Sequence, residues 1–287
     1  MEEVNQMTVA SLQKNLSSYP LSLEDFFVLL SFVTSKSKTF LLAHPEYCLS
    51  QSEETNIHLL IQRRLTHEPV AYLTGQKEFY GRTFIVNPSV LIPRPETEVL
   101  IEEVLSYTQE ITTPTTFIDI GTGSGAIILT LAEELAKRED LFHFIGVDIS
   151  KKALLVAEEN KKCFQNKTVT LQESDLLSAV RIPKEENLCI IANLPYLPTA
   201  MYESTLPDVK NFEPMIALES GADGLNHYRR LLEELKALSL PSFTLFIEID
   251  PSQTETLLTL FHTFPKHTIN IIPDLTGRER FIQISVS

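Results

Sequence analysis

From residue 116 to its C-terminus the chain alternates short apolar runs of strand character with amphipathic runs of helix character. No other feature narrows the possible folds as far. Strands are expected over 116–120, 142–147, 168–173, 188–192 and 243–249, and helices over 126–137, 151–162, 226–238 and 252–262. This alternation predicts an α/β fold with a doubly wound, mostly parallel sheet. Two further strands, over 268–272 and 280–285, have no helix between them. They must pair antiparallel through the turn that contains Pro273, Asp274 and Gly277, which brings the sheet to seven strands.

The first 76 residues carry helical patterns only. The run 22–34 opens with Ser22, Glu24 and Asp25, and 52–67 has acids early and Arg63 and Arg64 late, as helix ends favour. A small helical domain is expected over 1–76. It either only packs on its neighbour or serves substrate recognition by holding a protein substrate, and the second reading is carried forward. KEFYGRTFIVNPSVLIP reads as a β-hairpin linker over 77–93, and the sheet domain follows over 94–287, opening with a helix near 97–107. Of the 287 residues 43% are hydrophobic and 22% charged, which excludes wholesale disorder. The net charge of −14 disfavours non-specific binding to a phosphate backbone. Cys48, Cys163 and Cys189 are too scattered for a disulfide framework or a zinc site, and the histidines show no metal spacing. The N-terminus, MEEVNQ, has acids where a signal peptide needs bases, and no apolar run approaches the ~20 residues of a membrane span. A cytoplasmic location without metal or membrane is therefore expected.

The first strand runs into Gly121-Thr122-Gly123-Ser124-Gly125, directly before a helix. Glycine there permits positive φ and close approach of a ligand, while the helix start offers free N–H groups. Gly121, Gly123 and Ala126 also fit the dinucleotide pattern GxGxxA, so the glycines alone indicate only a nucleotide-type ligand. Asp148 ends the second strand, where an acid can accept the hydroxyls of a ribose, and Ser150 is the better cap for the helix that follows. Asp175 or Leu176, after the third strand, stands where an adenine edge would lie.

The fourth strand delivers Asn193-Leu194-Pro195-Tyr196 at its carboxyl end, the edge where open α/β sheets bind ligands. Asn193 offers a side-chain carbonyl and Leu194 a backbone carbonyl. Pro195 stiffens the turn, and Tyr196 supplies a flat face for stacking. Two acceptors and a stacking face suit a planar, conjugated NH₂ group, either an amide or an adenine amine.

This constellation resembles the class I methyltransferases that use S-adenosylmethionine, in the branch that methylates planar nitrogen. It is most similar to the peptide chain release factor glutamine methyltransferases, the HemK/PrmC type. EPVAYLTGQKEFYG, LIPRPETE, FEPMIALESGADGLNHYRRL and DLTGRERF carry the likeness further, from about Glu68 to the C-terminus. The resemblance implies a Rossmann-like methyltransferase sheet. It implies that Gly121 to Gly125 hold the methionine part of S-adenosylmethionine, Asp148 its ribose and Leu176 its adenine, with Arg94 lining the mouth. Asn193 would touch both cofactor and substrate, and Asn193 to Tyr196 would clamp the glutamine of the release factor's Gly-Gly-Gln loop. S-adenosylhomocysteine would be the other product.

Two departures stand out. The family usually spells its clamp Asn-Pro-Pro-Tyr, whereas Leu194 stands second here. The spelling Asn-Leu-Pro-Tyr also occurs in ribosomal RNA adenine dimethylases. In addition, the strand LFIEID ends in Asp250 where the family usually has glycine, which leaves the local turn open. The expected partner is a class 1 release factor, met by a monomer without direct nucleic acid contact. The alternatives are an RNA or DNA adenine methyltransferase, a ribosomal-protein glutamine methyltransferase, a nicotinamide-dependent oxidoreductase and a non-catalytic binding module.

Overall fold

The structure, a computed structural model, describes residues 7–15, 21–183 and 186–287. The hexapeptide MEEVNQ, on which the signal-peptide reading rests, lies outside them. The chain forms two compact units, one of residues 1–76 with 206–212, the other of 77–205 with 213–287.

The first unit is helical, with α1 (Val9–Asn15), α2 (Leu23–Thr34), α3 (Lys38–Ala43), α4 (Gln51–Leu65) and α5 (Val70–Thr74). Ser22 caps α2 by accepting from the Asp25 N–H at 3.0 Å. α4 begins slightly before its expected start because Ser50 and Glu53 close a reciprocal capping box. Phe26, Phe27, Leu29 and Leu30 of α2 are buried with Ile57, Leu60 and Ile61 of α4 in one core. Arg64 of α4 donates to Asp25 of α2 at 2.9 Å. The sequence pattern gave no sign that residues 206–212 belong with this unit.

The second unit opens on the expected hairpin, β1 (Gln76–Phe79) and β2 (Arg82–Ile85). Tyr80 and Gly81 form its turn, both at positive φ. Then follow α6 (Glu98–Thr108), β3 (Thr115–Ile120), α7 (Ala126–Glu134), β4 (Phe142–Asp148), α8 (Lys151–Cys163), β5 (Val169–Glu173) and β6 (Asn187–Ala192). After α9 (Thr199–Glu203) and α10 (Pro207–Phe212), which counts with the first unit, come α11 (Asn226–Leu238), β7 (Phe243–Glu248), α12 (Thr254–Phe261), β8 (His267–Pro273) and β9 (Glu279–Val286).

Seven of these strands form one sheet in the order β5-β4-β3-β6-β7-β9-β8. It is parallel from β5 to β7, and β9 runs antiparallel to both β7 and β8, as the missing helix predicts. Alternate strand residues fill a core on each face. Phe117, Phe144, Ile191 and Phe246 lie in one, and Ile118, Ile120, Ile190 and Ile247 in the other. α11 covers the second with Tyr228, Leu231, Leu232 and Leu235. Each such side chain contributes about 1.5–3 kcal/mol by leaving water.

The register positions the site. Ile120 pairs with Val147 on one side and Ala192 on the other, and Ala192 pairs with Ile247. The residues that follow, Gly121, Asp148, Asn193 and Glu248, therefore stand in one row along the carboxyl edge of the sheet.

Candidate active site

A cleft of about 1110 Å³, its open mouth included, runs along this edge. Gly121, Thr122, Gly123, Ser124, Asp148, Leu176, Asn193, Leu194, Pro195 and Arg94 all line it, as do Thr97, Asp175, His227 and Arg230. Of the residues expected at the site, Gly125 and Tyr196 do not.

The glycine loop is held by its own backbone. Gly121 and Gly123 sit at φ +74° and +56°. A Cβ at Gly123 would meet only the Gly121 carbonyl oxygen, at 3.9 Å, so bare backbone faces the cleft. A Cβ at Gly121 would lie 3.2 Å from Cδ2 of Leu194. The leucine that replaces the family's usual proline thus closes onto the glycine loop. Gly125, at φ +80°, precedes α7, and a Cβ there would come within 2.9 Å of Leu129 Cδ1. It serves packing behind the cleft.

Asp148 accepts the Gly123 N–H at 2.9 Å and the Ser150 N–H at 2.8 Å. Ser150 caps α8, as expected. Burial raises the Asp148 carboxyl, and the two N–H donors counter it. Leu176 lies at φ +50°, a conformation that strains a leucine by roughly 1–2 kcal/mol. The Ser174 hydroxyl holds it there by donating to the Leu176 carbonyl at 2.8 Å. Asp175 is paired with Arg230 at 2.6 Å.

The Asn193 segment is held instead by distant side chains. Asn193 donates through Nδ2 to Oε2 of Glu248 at 2.9 Å, and Thr97 donates its hydroxyl to the same oxygen at 2.6 Å. The stacking face expected of Tyr196 is not presented to the cleft. Its ring packs against the core, and its phenol donates to Oε1 of Glu248 at 3.3 Å. Burial and this carboxylate together push the Tyr196 phenol well up. The Tyr196 carbonyl accepts from Nε2 of Gln253 at 2.8 Å. Tyr228, fully buried, donates its hydroxyl to the Glu248 carbonyl.

Asp250, which left the turn open, settles into an extended conformation at φ −79° and caps the short 3₁₀ turn Pro251–Gln253. Its N–H donates to Gln253 Oε1 at 3.1 Å, so the turn that replaces the glycine also aims Gln253 at Tyr196.

Sequence reasoning missed Glu248, Gln253, Tyr228, Glu213 and Asp119. Glu213 is buried, accepts Arg94 at 2.5 Å and the Ile92 N–H at 3.1 Å, and so fixes the Pro93-Arg94-Pro95 wall. Asp119 lies within β3, where burial and the nearby Asp148 push its carboxyl up to about 7 against a hydrogen bond from Thr122. An acid inside an apolar strand was the available signal for both Asp119 and Glu248.

Residues 8–75 match the family model described as the PrmC N-terminal domain, and residues 111–193 match one described as a methyltransferase domain. The crystal structure of the hMettl16 catalytic domain, in complex with the MAT2A 3'UTR hairpin 6, shares the fold with a TM-score of 0.54 at 15% identity, over 82% of this chain and 81% of that one. Fold and site thus define a methyltransferase with a Rossmann-like sheet. A release factor glutamine methyltransferase from Thermodesulfovibrio yellowstonii is 35% identical over 85% of each chain. One from Moorella thermoacetica is 38% identical over 88% of this chain and 87% of its own. The chain belongs to the release factor glutamine methyltransferase family.

Proposed function

We propose that this protein transfers a methyl group from S-adenosylmethionine to the side-chain amide nitrogen of the glutamine in the Gly-Gly-Gln loop of class 1 release factors. One observation carries the reading. Asn193 opens onto the cleft in the same row as Gly121 and Asp148, with its NH₂ end already engaged by Glu248. Its carbonyl oxygen is left to accept from an incoming amide.

The residues fit the cofactor. The bare backbone at Gly123 leaves room at the loop, and the Asp148 carboxylate keeps acceptor capacity beyond its two N–H partners. Gly121 to Ser124 would hold its methionine part, Asp148 its ribose and Leu176 its adenine. When bound, S-adenosylmethionine supplies an electrophilic methyl group on a sulfonium centre.

The chain's own work is positional. An amide nitrogen is a poor nucleophile because its lone pair is delocalised into the carbonyl. Asn193 Oδ1 and the Leu194 carbonyl accept its two N–H groups and aim it, with Pro195 stiffening the turn and Tyr196 anchoring it from behind. Orientation of this kind can supply ~7–11 kcal/mol of the barrier reduction. No general base is assigned, Tyr196 included.

We assign release factor recognition to the first unit, supported by its match to the PrmC N-terminal domain. We place the reaction in the cytoplasm, with the enzyme as a monomer and without metal or nucleic acid. The net charge of −14 disfavours a phosphate backbone as partner. Among the described residues no helix is long and apolar enough to cross a membrane.

The test is transfer of labelled methyl from S-adenosylmethionine to a purified release factor, with the modified peptide located by mass spectrometry. Label is expected on the loop glutamine and lost when that glutamine becomes alanine. Label on bare RNA instead would establish the adenine reading.

A further inference from the structure

Glu248 is only 2% exposed and ends β7. Its carboxylate is surrounded by the clamp. Oε2 accepts from Asn193 at 2.9 Å and Thr97 at 2.6 Å, and Oε1 accepts from Tyr196 at 3.3 Å. Thr97 and Asn193 line the cleft, and Tyr196 belongs to the segment that forms its wall. A buried carboxylate whose side-chain partners all belong to one site is an expensive way to hold a strand end, since taking it out of water costs several kcal/mol.

We propose that Glu248 is a positioning residue for methyl transfer, acting through Asn193 to fix which end of the Asn193 amide faces the substrate and to polarise it. The inference rests on the glutamine-methylation reading above. A carboxylate only accepts, so the atom of Asn193 that meets it must be the NH₂ nitrogen. The carbonyl oxygen is then turned to the cleft. Without Glu248 the Asn193 amide could present its NH₂ group, which repels the NH₂ of an incoming carboxamide.

The second effect is electrostatic. As the methyl moves, positive charge passes from sulfur to the amide nitrogen. A carboxylate behind the Asn193 NH₂ draws its protons and enriches the far carbonyl oxygen in negative charge, directly against that nitrogen. In a buried site such an interaction is weakly screened. Substrate in its ground state carries no such charge, so the benefit belongs to the transition state. Burial raises the Glu248 carboxyl and Glu96 adds to this, while Thr97, Arg280 and Tyr196 counter it.

Two variants separate orientation from charge. Glu248→Gln keeps an acceptor for Thr97 and Asn193 but removes the charge. Glu248→Met, of similar length, removes both. With wild-type enzyme, S-adenosylmethionine and a purified release factor, kcat is expected to fall about tenfold for Gln and about a hundredfold for Met, the range for partners that orient a reacting group. KM for the release factor and the cofactor dissociation constant, read by calorimetry, should stay near the wild-type values. Should Met fail to fold, the Gln variant alone decides. A Gln variant with wild-type kcat overturns the proposal, and so does one whose loss lies in cofactor affinity or KM. Wild-type transfer, measured alongside, keeps the two readings apart. Its absence refutes the substrate reading and this inference with it, whereas its presence beside an unimpaired Gln variant refutes this inference alone.

Discussion

The glycine loop and the Asn193 segment stand side by side at one sheet edge, yet they are held by opposite means. The loop is shaped mainly by its own backbone, with positive φ at Gly121 and Gly123, and a single side chain from the neighbouring strand, Asp148, accepts its Gly123 N–H. The Asn193 segment is fixed from outside, by Glu248 and Gln253 around the end of β7 and by Thr97 beside α6. A wall made of backbone can accept a ligand's polar groups with little reorganisation. A wall made of a buried side-chain network can set the direction in which one particular group points. The first suits a cofactor that must bind, the second a substrate nitrogen that must be aimed.

If that division holds, the walls respond differently to truncation. Asn193→Ala should lower turnover by about 10²–10³-fold, the range for deleting one preorganised partner of a reacting group. Cofactor affinity, measured by calorimetry on the same variant, should barely move. Asp148→Ala should do the reverse and weaken cofactor binding by about 10–100-fold, since it removes hydrogen bonds to a charged group. Turnover at saturating cofactor should fall far less. An affinity loss in the first variant, or none in the second, would erase the contrast.

A glycine behind each wall sharpens it. A Cβ at Gly224 would lie 2.0 Å from the Tyr196 carbonyl oxygen and 2.5 Å from Gln253 Nε2. Gly224→Ala should therefore displace the clamp, reducing both stability and turnover. The atoms nearest a Cβ at Gly125 belong to the Leu129 and Ala157 side chains. Gly125→Ala should cost about 1–3 kcal/mol in a denaturant titration, with turnover of the folded fraction nearly intact.

The smallest effect concerns Asp119. Its carboxyl is raised to about 7 in the folded chain, mainly by burial. The folded state therefore binds a proton that the unfolded state releases near the ordinary aspartate value of about 4. The associated stability is fully present below that value and is lost as pH rises through about 7. The melting temperature should fall across that window, and Asp119→Asn should flatten the fall. An unchanged slope would locate the titrating group elsewhere.

The same contrast explains how much could be read from sequence. The strand–helix alternation gave the sheet and its antiparallel end, because side-chain periodicity is a local property. Gly121 to Gly125 were legible for the same reason, and Asp148 by its place at a strand end, although the Gly123 N–H that it accepts belongs to the loop after the neighbouring strand. Glu248 was not, although an acid ending an apolar strand was visible in LFIEID. Its meaning depends on β7 lying beside β6 with Ile247 level with Ala192, a register that one sequence does not state. Tyr196 was assigned a stacking face from its chemistry alone, whereas the phenol is drawn to Glu248 and the ring to the core. Leu194 stood out only as a departure from the family's spelling, and its contact with the glycine loop emerges only when the strands are aligned.

The central claim is that a primary carboxamide is aimed by Asn193 and the Leu194 carbonyl. A crystal structure with S-adenosylhomocysteine and a Gly-Gly-Gln peptide tests it most directly. The account predicts the glutamine side-chain nitrogen within hydrogen-bonding distance of both Asn193 Oδ1 and the Leu194 carbonyl oxygen, with Asn193 Nδ2 still on Glu248. A glutamine bound elsewhere, or Asn193 turned so that its NH₂ group faces the peptide, would contradict it.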